Sequence, residues 1–456
     1  MTTMEILRKL QGFHGAEVYL VGGYVRDLIR RKRNDDLDVV VRRLSPSRIK
    51  SFLGRYGNAK YANLTFGVPI ILFKAFGDKV EAQITLPRDN KGNFRPGNTL
   101  EQDAECRDFT INAMYLPIHH RSRKDIIDFF GGYKDIKRRL VRAVKDPNRR
   151  INESPIRMLR AISLAARTKY RIHKSLMHAI AENRDLIGLA PVEGIREELN
   201  KILLSNKPST YLKVMQKIGL LKIVLPELDK CCGVRQDKKY HKFDVFKHCL
   251  YTCDYIEPDL ILRLAAVLHD IGKPDTREIH GERTTFHKHE VVSARLAKVV
   301  LERLRYKKET ISKTTHLIRM HMYHYTREFT DAAVRRFIKK VSITKENLDN
   351  IENIPLFKLR KAERKGNGFK TIPVTERQRD FERRIQRVFK GSKGFDIKDL
   401  DIDGTVIMRL FNMRPSQKVG ETLEYMLEKV LEEPKLNTRK ELVKLAAYYI
   451  YYKDVV

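Results

Sequence analysis

Two aspartates, Asp36 and Asp38, flank Leu37 at the start of the apolar run Leu37 to Val41. In an extended chain alternate residues share a face, so both carboxylates point the same way. Like charges that close repel unless a cation lies between them, and an all-oxygen ligand set suits Mg²⁺. Such a cation could activate an attacking hydroxyl and neutralise a leaving pyrophosphate. Upstream, Gly22-Gly23 follows the strand-like run Glu17 to Val21. Glycines at a strand-to-helix turn let backbone N–H groups approach a phosphate, and a helix N-terminus favours the anion. Arg26 lies one turn further on and could add charge, and Glu81, on a later strand-like run, could supply a third carboxylate. Each feature alone also fits a plainer account: a solvated acidic turn, an ordinary glycine turn, an exposed strand residue. The order Gly-Gly, helix, then D-x-D on the next strand is far more specific than its parts.

A second set of residues lies in mid-chain. His241, His248, His269-Asp270, His287, His289, His321 and His324 fall in separate helical stretches. A His-Asp pair inside the apolar run LRLAAVLHDIG is costly to bury without a partner. Histidine nitrogen and aspartate oxygen from several helices could converge on one metal. Cys249 and Cys253 stand at helical spacing beside His248, but no C-x-x-C pair supports zinc, and core cysteines are commoner.

These residues need elements to hold them. A short amphipathic helix comes first, then strand, Gly-Gly turn, helix, charged turn and the D-x-D strand. Further strand-like text lies at 69–76 and 79–86. Residues 87–105 are polar and marked by Gly and Pro, which predicts a loop. From about Ser154 the pattern is helical nearly to the end. The basic run Arg360 to Lys370, with Gly366 and Gly368, reads as a loop or linker, and Gly404 and Gly420 as helix-boundary glycines. The predicted fold class is α+β: a small mixed α/β head (1–150), a helical neck (151–225), a helical histidine-rich domain (226–345) and a helical body and tail (346–456).

The text VGGYVRDLI…DDLDVVV resembles the signature of class II tRNA nucleotidyltransferases and bacterial poly(A) polymerases, whose head is built like a polymerase palm. Further blocks follow in order: CRDFTINA (Cys106 to Ala113), IIDFFGGYKDI (Ile126 to Ile136) and VRAVKDPNRRINESPIRMLRA (Val141 to Ala161). The resemblance implies that Asp36 and Asp38 hold Mg²⁺, and Glu81 stays a candidate third carboxylate by its place on a later strand. It implies that Gly22, Gly23 and Arg26 hold the triphosphate, and that Arg107 and Asp108, with Asn112 nearby, hold the ribose and triphosphate. In that family a Glu-Asp-x-x-Arg motif on a helix reads the incoming base. A fixed carboxylate acceptor and a guanidinium donor fork can mimic a base edge. This chain has Glu153-Ser154-Pro155-Ile156-Arg157, with Ser in the Asp position. Arg157 is therefore the expected base reader, Ser154 a second, and Arg160 a contact to the triphosphate or the fold. Ser154 before Pro155 also reads as a helix N-cap followed by proline at the first helical position. Cys106 replaces one of the family's paired arginines, Ile151 an aromatic, and Gly194 an arginine. The histidine pattern resembles an HD domain, with His248, His269, Asp270, His289 and His321 as ligands of a second divalent metal. Such domains hydrolyse phosphate esters at a metal-bound water. Glu363 stands where related chains tend to carry Asp.

The bulk numbers agree with a nucleic-acid partner. The chain has 456 residues, 91 Lys plus Arg against 57 Asp plus Glu, and a formal charge of +34. A charge that far from zero is tolerable when the usual partner is a polyanion. No stretch is long and apolar enough to span a membrane, and the N-terminal text has no signal-peptide core, so a cytoplasmic protein is expected. Five irregularly spaced cysteines do not make a disulfide framework. The implied reaction is addition of CCA to the tRNA 3′ end from CTP and ATP, with basic tail helices holding the acceptor–TΨC arm. Within the same motifs, addition of CC only, of A only, or of poly(A) stays open. A phosphohydrolase acting on RNA-end phosphates through the HD residues is the reading from another class.

Overall fold

The computed structural model describes residues 1–452 except 63–69, 90–92, 121, 282, 324, 327, 369–375 and 392–394. Parts of the expected strand at 69–76, the expected loop at 87–105 and the run to Lys370 lie outside the described residues, as does His324. The chain divides into two compact units: Met1–Lys230 with Val300–Lys307, and Cys231–Val299 with Lys308–Val456.

The first unit opens with helix α1 (Thr3–Leu10), capped reciprocally by Thr2 and Glu5, which buries Ile6, Leu7 and Leu10. Strand β1 (Glu17–Val21) runs into α2 (Gly22–Ile29), and β2 (Leu37–Arg42) returns. Then come α3 (Pro46–Gly54), β3 (Gly57–Tyr61), β4 (Ile71–Ala75), β5 (Ala82–Thr85), α4 (Leu100–Glu105), β6 (Met114–Pro117) and β7 (Ile127–Asp128). The strands form one mixed sheet of order β3-β4-β5-β2-β1-β6-β7. β2 is parallel to β5 and antiparallel to β1. As a central strand β2 buries Val39, Val40 and Val41 in succession, which is why its sequence is continuously apolar rather than alternating.

Past the sheet, α5 (Gly132–Lys137), β8 (Leu140–Val141) and α6 (Pro147–Glu153) lead to α7 (Arg157–Thr168). Then follow β9 (Arg171–Ile172), α8 (Lys174–Glu182), α9 (Val192–Leu203), α10 (Pro208–Lys217) and the single turns α11 (Leu221–Val224) and α12 (Pro226–Asp229). α7 carries Met158, Leu159, Ile162 and Ala165 on its buried side and packs on α9.

The second unit holds α13 (Val245–Asp254), α14 (Leu260–Leu268) and the hairpin β10 (Arg277–His280)–β11 (Arg283–Phe286). α15 (His289–Arg303) carries the chain out, and α16 (Lys308–Met320) carries it back. α17 (Asp331–Val341), α18 (Pro355–Gly366), α19 (Glu376–Lys390), α20 (Gly404–Leu410), α21 (Gln417–Glu432) and α22 (Arg439–Tyr451) complete it. The last three share a core of Ile407, Met426, Leu427, Leu431 and Leu442.

Four local expectations are corrected. The stretch 87–105 ends in a helix, α4, because Thr99 and Gln102 make a capping box and Leu100 and Ala104 face the core. The basic run from Arg360 lies in α18 as far as Gly366, because Leu356, Phe357, Leu359 and Ala362 give it a buried face. Gly366 is there for contact, since a Cβ would lie 2.4 Å from Thr252 Oγ1. Gly404 does begin a helix, but Gly420 lies inside α21. Ser154 is no N-cap: it ends α6, and α7 starts only at Arg157.

Candidate functional site

The head site forms where β1 ends, β2 begins and β5 begins. Gly22 adopts φ +69°, the left-handed region, and a Cβ on it would lie 2.7 Å from Asp38 Oδ2. Glycine is thus required twice at one position, by the backbone and by the close approach. The Gly23 N–H donates to the Asp38 carboxylate. Burial lifts Asp38 above the usual aspartate range, against the pull of Arg107 and of that N–H, while Asp36 pushes the same way as burial. Asp36 is exposed, and its backbone N–H donates to Asn34 Oδ1 at 2.9 Å. Glu81 precedes β5, and the pairs Leu37↔Ala82 and Asp38↔Gln83 set it beside the start of β2. Asp36, Asp38 and Glu81 line one cleft of about 390 Å³ with Arg33 and Lys79. Oxygen donors in an open cleft fit a hard cation such as Mg²⁺. They do not close into a three-ligand set within 4.8 Å, as two sets of described residues elsewhere do.

Behind this cleft the expected nucleotide residues are linked to one another. Arg26 is 5 % exposed and donates to Asp27 (2.6 and 3.1 Å) and to Asn112 Oδ1 (2.9 Å). Its charge is answered inside the fold, and it braces the glycine turn. Asn112 Nδ2 donates to Asp108 Oδ1 at 3.2 Å, and Arg160 lies 2.8 Å from Asp108 Oδ2. A continuous polar line therefore runs from α2 to α7. Burial alone raises Asp108, but Arg160 and Arg157 outweigh it and hold the carboxyl low. Arg160 is pushed up by Asp108 and remains half exposed.

Arg107 rests on Asp103, an acid the sequence reading passed over. Asp103 is 1 % exposed and accepts from Arg107 (2.8 and 2.9 Å), from the Tyr115 hydroxyl (2.6 Å) and from the Arg88 N–H (3.1 Å). Burial works against the Arg107 charge, and Asp103 and Tyr115 more than restore it. The signal was present: Asp103 and Arg107 are four apart, a pairing that only appears once α4 is read as a helix.

The motif expected to lie on one helical face is split. Pro155 has no N–H and disfavours helical backbone at the residue before it. Ser154 accordingly takes φ −161°, ψ 96°, and the Arg157 N–H donates to its carbonyl at 3.0 Å. Glu153 and Arg157 still meet across the break at 2.9 Å. Arg157 also donates to the carbonyls of Arg150 (2.8 Å) and Cys106 (2.9 Å), so its fork is rigidly held.

In the second unit His248, His269, Asp270, His289 and His321 come together, all buried. His269, His289 and His321 each place Nδ1 2.7–2.8 Å from a carbonyl three residues back. A carbonyl only accepts, so Nδ1 carries a proton and Nε2 faces inward, bare in the neutral ring and a donor to Asp270 in the imidazolium. Asp270 Oδ2 is 3.5 Å from His248 Nε2 and 3.3 Å from His269 Nε2. Its Oδ1 is 3.2 Å from His289 Nε2 and 3.7 Å from His321 Nε2. Burial pushes the Asp270 carboxyl up, and His269 and Lys273 outweigh it to hold it well below the ordinary range. Lys273, which the sequence reading also missed, sits 2.6 Å from Oδ2 and donates to Gln236 Oε1 at 2.7 Å. Nitrogen-rich donors of this kind suit a borderline transition ion. Glu363 is buried nearby but is paired with Arg360 at 2.9 Å. His287 is exposed and takes no part. Cys249 and Cys253 are buried free thiols and belong to neither candidate metal set among the described residues.

Three families match in order along the chain: the Poly A polymerase head domain over residues 18–142, the probable RNA and SrmB-binding site of polymerase A over 169–232, and the HD domain over 240–356. A multifunctional CCA protein of Cupriavidus metallidurans is 31% identical over 348 residues, covering 71% of this chain and 79% of the relative. The chain belongs to the class II CCA-adding tRNA nucleotidyltransferase family. An A-adding tRNA nucleotidyltransferase of Deinococcus radiodurans is 32% identical over 253 residues, 53% of this chain and 56% of that protein. The Bacillus stearothermophilus CCA-adding enzyme in complex with CTP shares the fold at a TM-score of 0.66 and 18% identity, over 100% of this chain and 98% of that one. In this family member, no helix among the described residues is long and apolar enough to cross a membrane.

Proposed function

We propose that this protein adds C and A nucleotides to the 3′ end of tRNA, from CTP and ATP, and completes the CCA sequence. The observation that carries the reading is the head cleft, where Gly22 closes on Asp38 while Asp36 and Glu81 stand beside it. Mg²⁺ held by Asp36 and Asp38, with Glu81 as a further oxygen, would supply charge neutralisation at the reacting phosphate. Gly22 and Gly23 leave the turn open to the triphosphate. Arg107, fixed by Asp103 and Tyr115, brings a positive charge to Asp38 and the nucleotide. Asp108 and Arg160 bind the ribose and triphosphate side, with Asn112 and Arg26 bracing them. Arg157, clamped by Glu153 and two carbonyls, reads the base edge with Ser154 as a neutral partner. The +34 charge fits the tRNA acceptor–TΨC arm held through its phosphates, and a cytoplasmic site of action fits that substrate.

Single-nucleotide extension tests this. Transcripts ending before CCA, after C and after CC are each given CTP, ATP or both with Mg²⁺. Ordered addition of C, C and A that then stops is the expected result. CC alone, A alone or an unlimited A tail reassigns the protein within its family, and extension that persists in Asp38→Ala sinks the metal assignment.

The buried His-Asp cluster favours a second activity, hydrolysis of RNA-end phosphate esters. Opening of a 2′,3′-cyclic phosphate end to a terminal phosphomonoester, lost in Asp270→Ala, is the expected result. No cleavage in the metal-loaded protein makes the cluster structural.

A further inference from the structure

We infer that UTP is a third nucleotide substrate of the head, because the base-reading turn of this chain holds a fixed donor but no fixed acceptor. The inference rests on the proposed role of Arg157 and Ser154, and its test lets the two fail separately. Cytosine and uracil differ at two neighbouring groups of the pairing edge. Cytosine presents an N4 amino donor beside the N3 acceptor, and uracil an O4 acceptor beside an N3–H donor. A site that takes cytosine and excludes uracil therefore sets a fixed acceptor against position 4 and a fixed donor against position 3.

The donor is in place. The Arg157 side chain is only 11 % exposed. Its Nη1 donates to the Arg150 carbonyl at 2.8 Å and to Glu153 Oε2 at 2.9 Å, and its Nη2 to the Cys106 carbonyl at 2.9 Å. These bonds take three of the five N–H groups of a guanidinium and leave two for a base. A guanidinium only donates, so this contact prefers N3 of cytosine to N3–H of uracil.

The acceptors that touch Arg157 are answered within the fold. The Glu153 carboxylate pairs with Arg149, Arg150 and Arg157 together. The carbonyls of Arg150 and Cys106 are occupied by Arg157 itself, and the Ser154 carbonyl accepts the Arg157 N–H. Position 154 then offers a half-buried hydroxyl. Inside a helix a serine can tie its hydroxyl to the carbonyl four residues back. Ser154 stands between two helices, extended at φ −161° ahead of Pro155, so its hydroxyl stays free to turn. It accepts from the cytosine amino group and, rotated, donates to uracil O4. A carboxylate there would accept from the first and repel the second. One of the two contacts that separate the pyrimidines is thus lost and the other kept. A single base-edge pairing discriminates by roughly 5- to 150-fold, so UTP enters as a slower substrate than CTP. The transfer is unchanged. The RNA 3′-oxygen bonds to the α-phosphorus of UTP, the bridge to the β-phosphate breaks, and pyrophosphate leaves with that electron pair. The 3′-hydroxyl proton is lost to water.

The full chain, Mg²⁺ and a transcript ending before CCA are given CTP alone, UTP alone or both in equal amount. Values of kcat/KM are measured for each nucleotide, and the mixed products are sequenced. Wild-type protein should add UMP, with CTP preferred within that range. Ser154→Asp should keep CMP addition and widen the preference for CTP by about tenfold or more. Ser154→Ala removes the hydroxyl's bond to either base, so it should slow both nucleotides and leave their ratio near that of wild type. A ratio that moves with Asp and not with Ala does not come from a loosened fold, which slows both nucleotides alike. Wild-type protein that adds CMP but rejects UTP as firmly as Ser154→Asp does overturns the inference alone. Addition of neither nucleotide overturns it together with the base-reading assignment.

Discussion

The head cleft and the HD cage both bring candidate cation ligands together, and they do so in opposite ways. In the head the ligands are oxygens, Asp36 and Glu81 are exposed, and the three carboxylates share a cleft without closing on one point. In the cage the ligands are mostly nitrogens, all five residues are buried, and three rings are already locked in the tautomer that binds. An open oxygen site would exchange its ion with each substrate, with the nucleotide completing the shell. A closed nitrogen site would hold its ion through the cycle and would admit a substrate to the positions left over.

The sharpest break between them is by deletion. Asp38→Ala should cut nucleotide addition by about 10³-fold or more, the loss of several kcal/mol of charge stabilisation. It should leave tRNA binding and the metal content of the cage intact, and Asp270→Ala should do the reverse. Asp103→Asn comes next: it leaves a buried guanidinium without its counter-charge, which costs about 3–5 kcal/mol. Denaturant unfolding of the first unit reads that loss. The Asp103 carboxyl is held below its ordinary value by Arg107 and Arg88 against the effect of burial. Its stabilising effect is thus complete above the unfolded aspartate pKa of about 3.9 and disappears as pH falls through the lower folded value. The wild-type unit should lose stability in acid over that window, and Asp103→Asn should flatten the dependence.

Gly22→Ala is smaller and confined to the head. The left-handed backbone costs a non-glycine residue about 1–2 kcal/mol, and the 2.7 Å contact must be relieved by moving Asp38. Extension should slow by about 5- to 30-fold, with cage metal unchanged. Ser154→Asp should be the mildest. It returns an acceptor beside Arg157 and should change the ratio of C to A incorporation by about 5- to 10-fold, within the roughly 1–3 kcal/mol that one base-edge pairing discriminates. A change in cage metal content in either variant would show that the two sites are not separable.

The chemistry-bearing residues of both sites were legible because each depends on type and spacing: D-x-D on a strand, Gly-Gly before a helix, His-Asp inside an apolar helix. The residues that hold them were not. Asp103 and Lys273 act by filling the second side of a charge, and that becomes visible only when α4 is known to be a helix and Asp270 is known to be buried. Helix α18 was hidden because its basic residues dominate the text while a sparse apolar face decides its structure. The division of the base-reading motif was hidden for another reason. Spacing of four suggested one helix, and a single proline overrode it.

That proline has a consequence for how the gene can vary. Glu153 closes α6 and Arg157 opens α7, joined by three residues of which Pro155 is the middle one. Adding or removing one residue here spares both helices and the core under them. It would nevertheless part Glu153 from Arg157, whose ion pair spans the turn at 2.9 Å, and so release the guanidinium from its clamp. Length polymorphism in this turn should therefore leave expression and folding intact while scrambling which nucleotide is chosen.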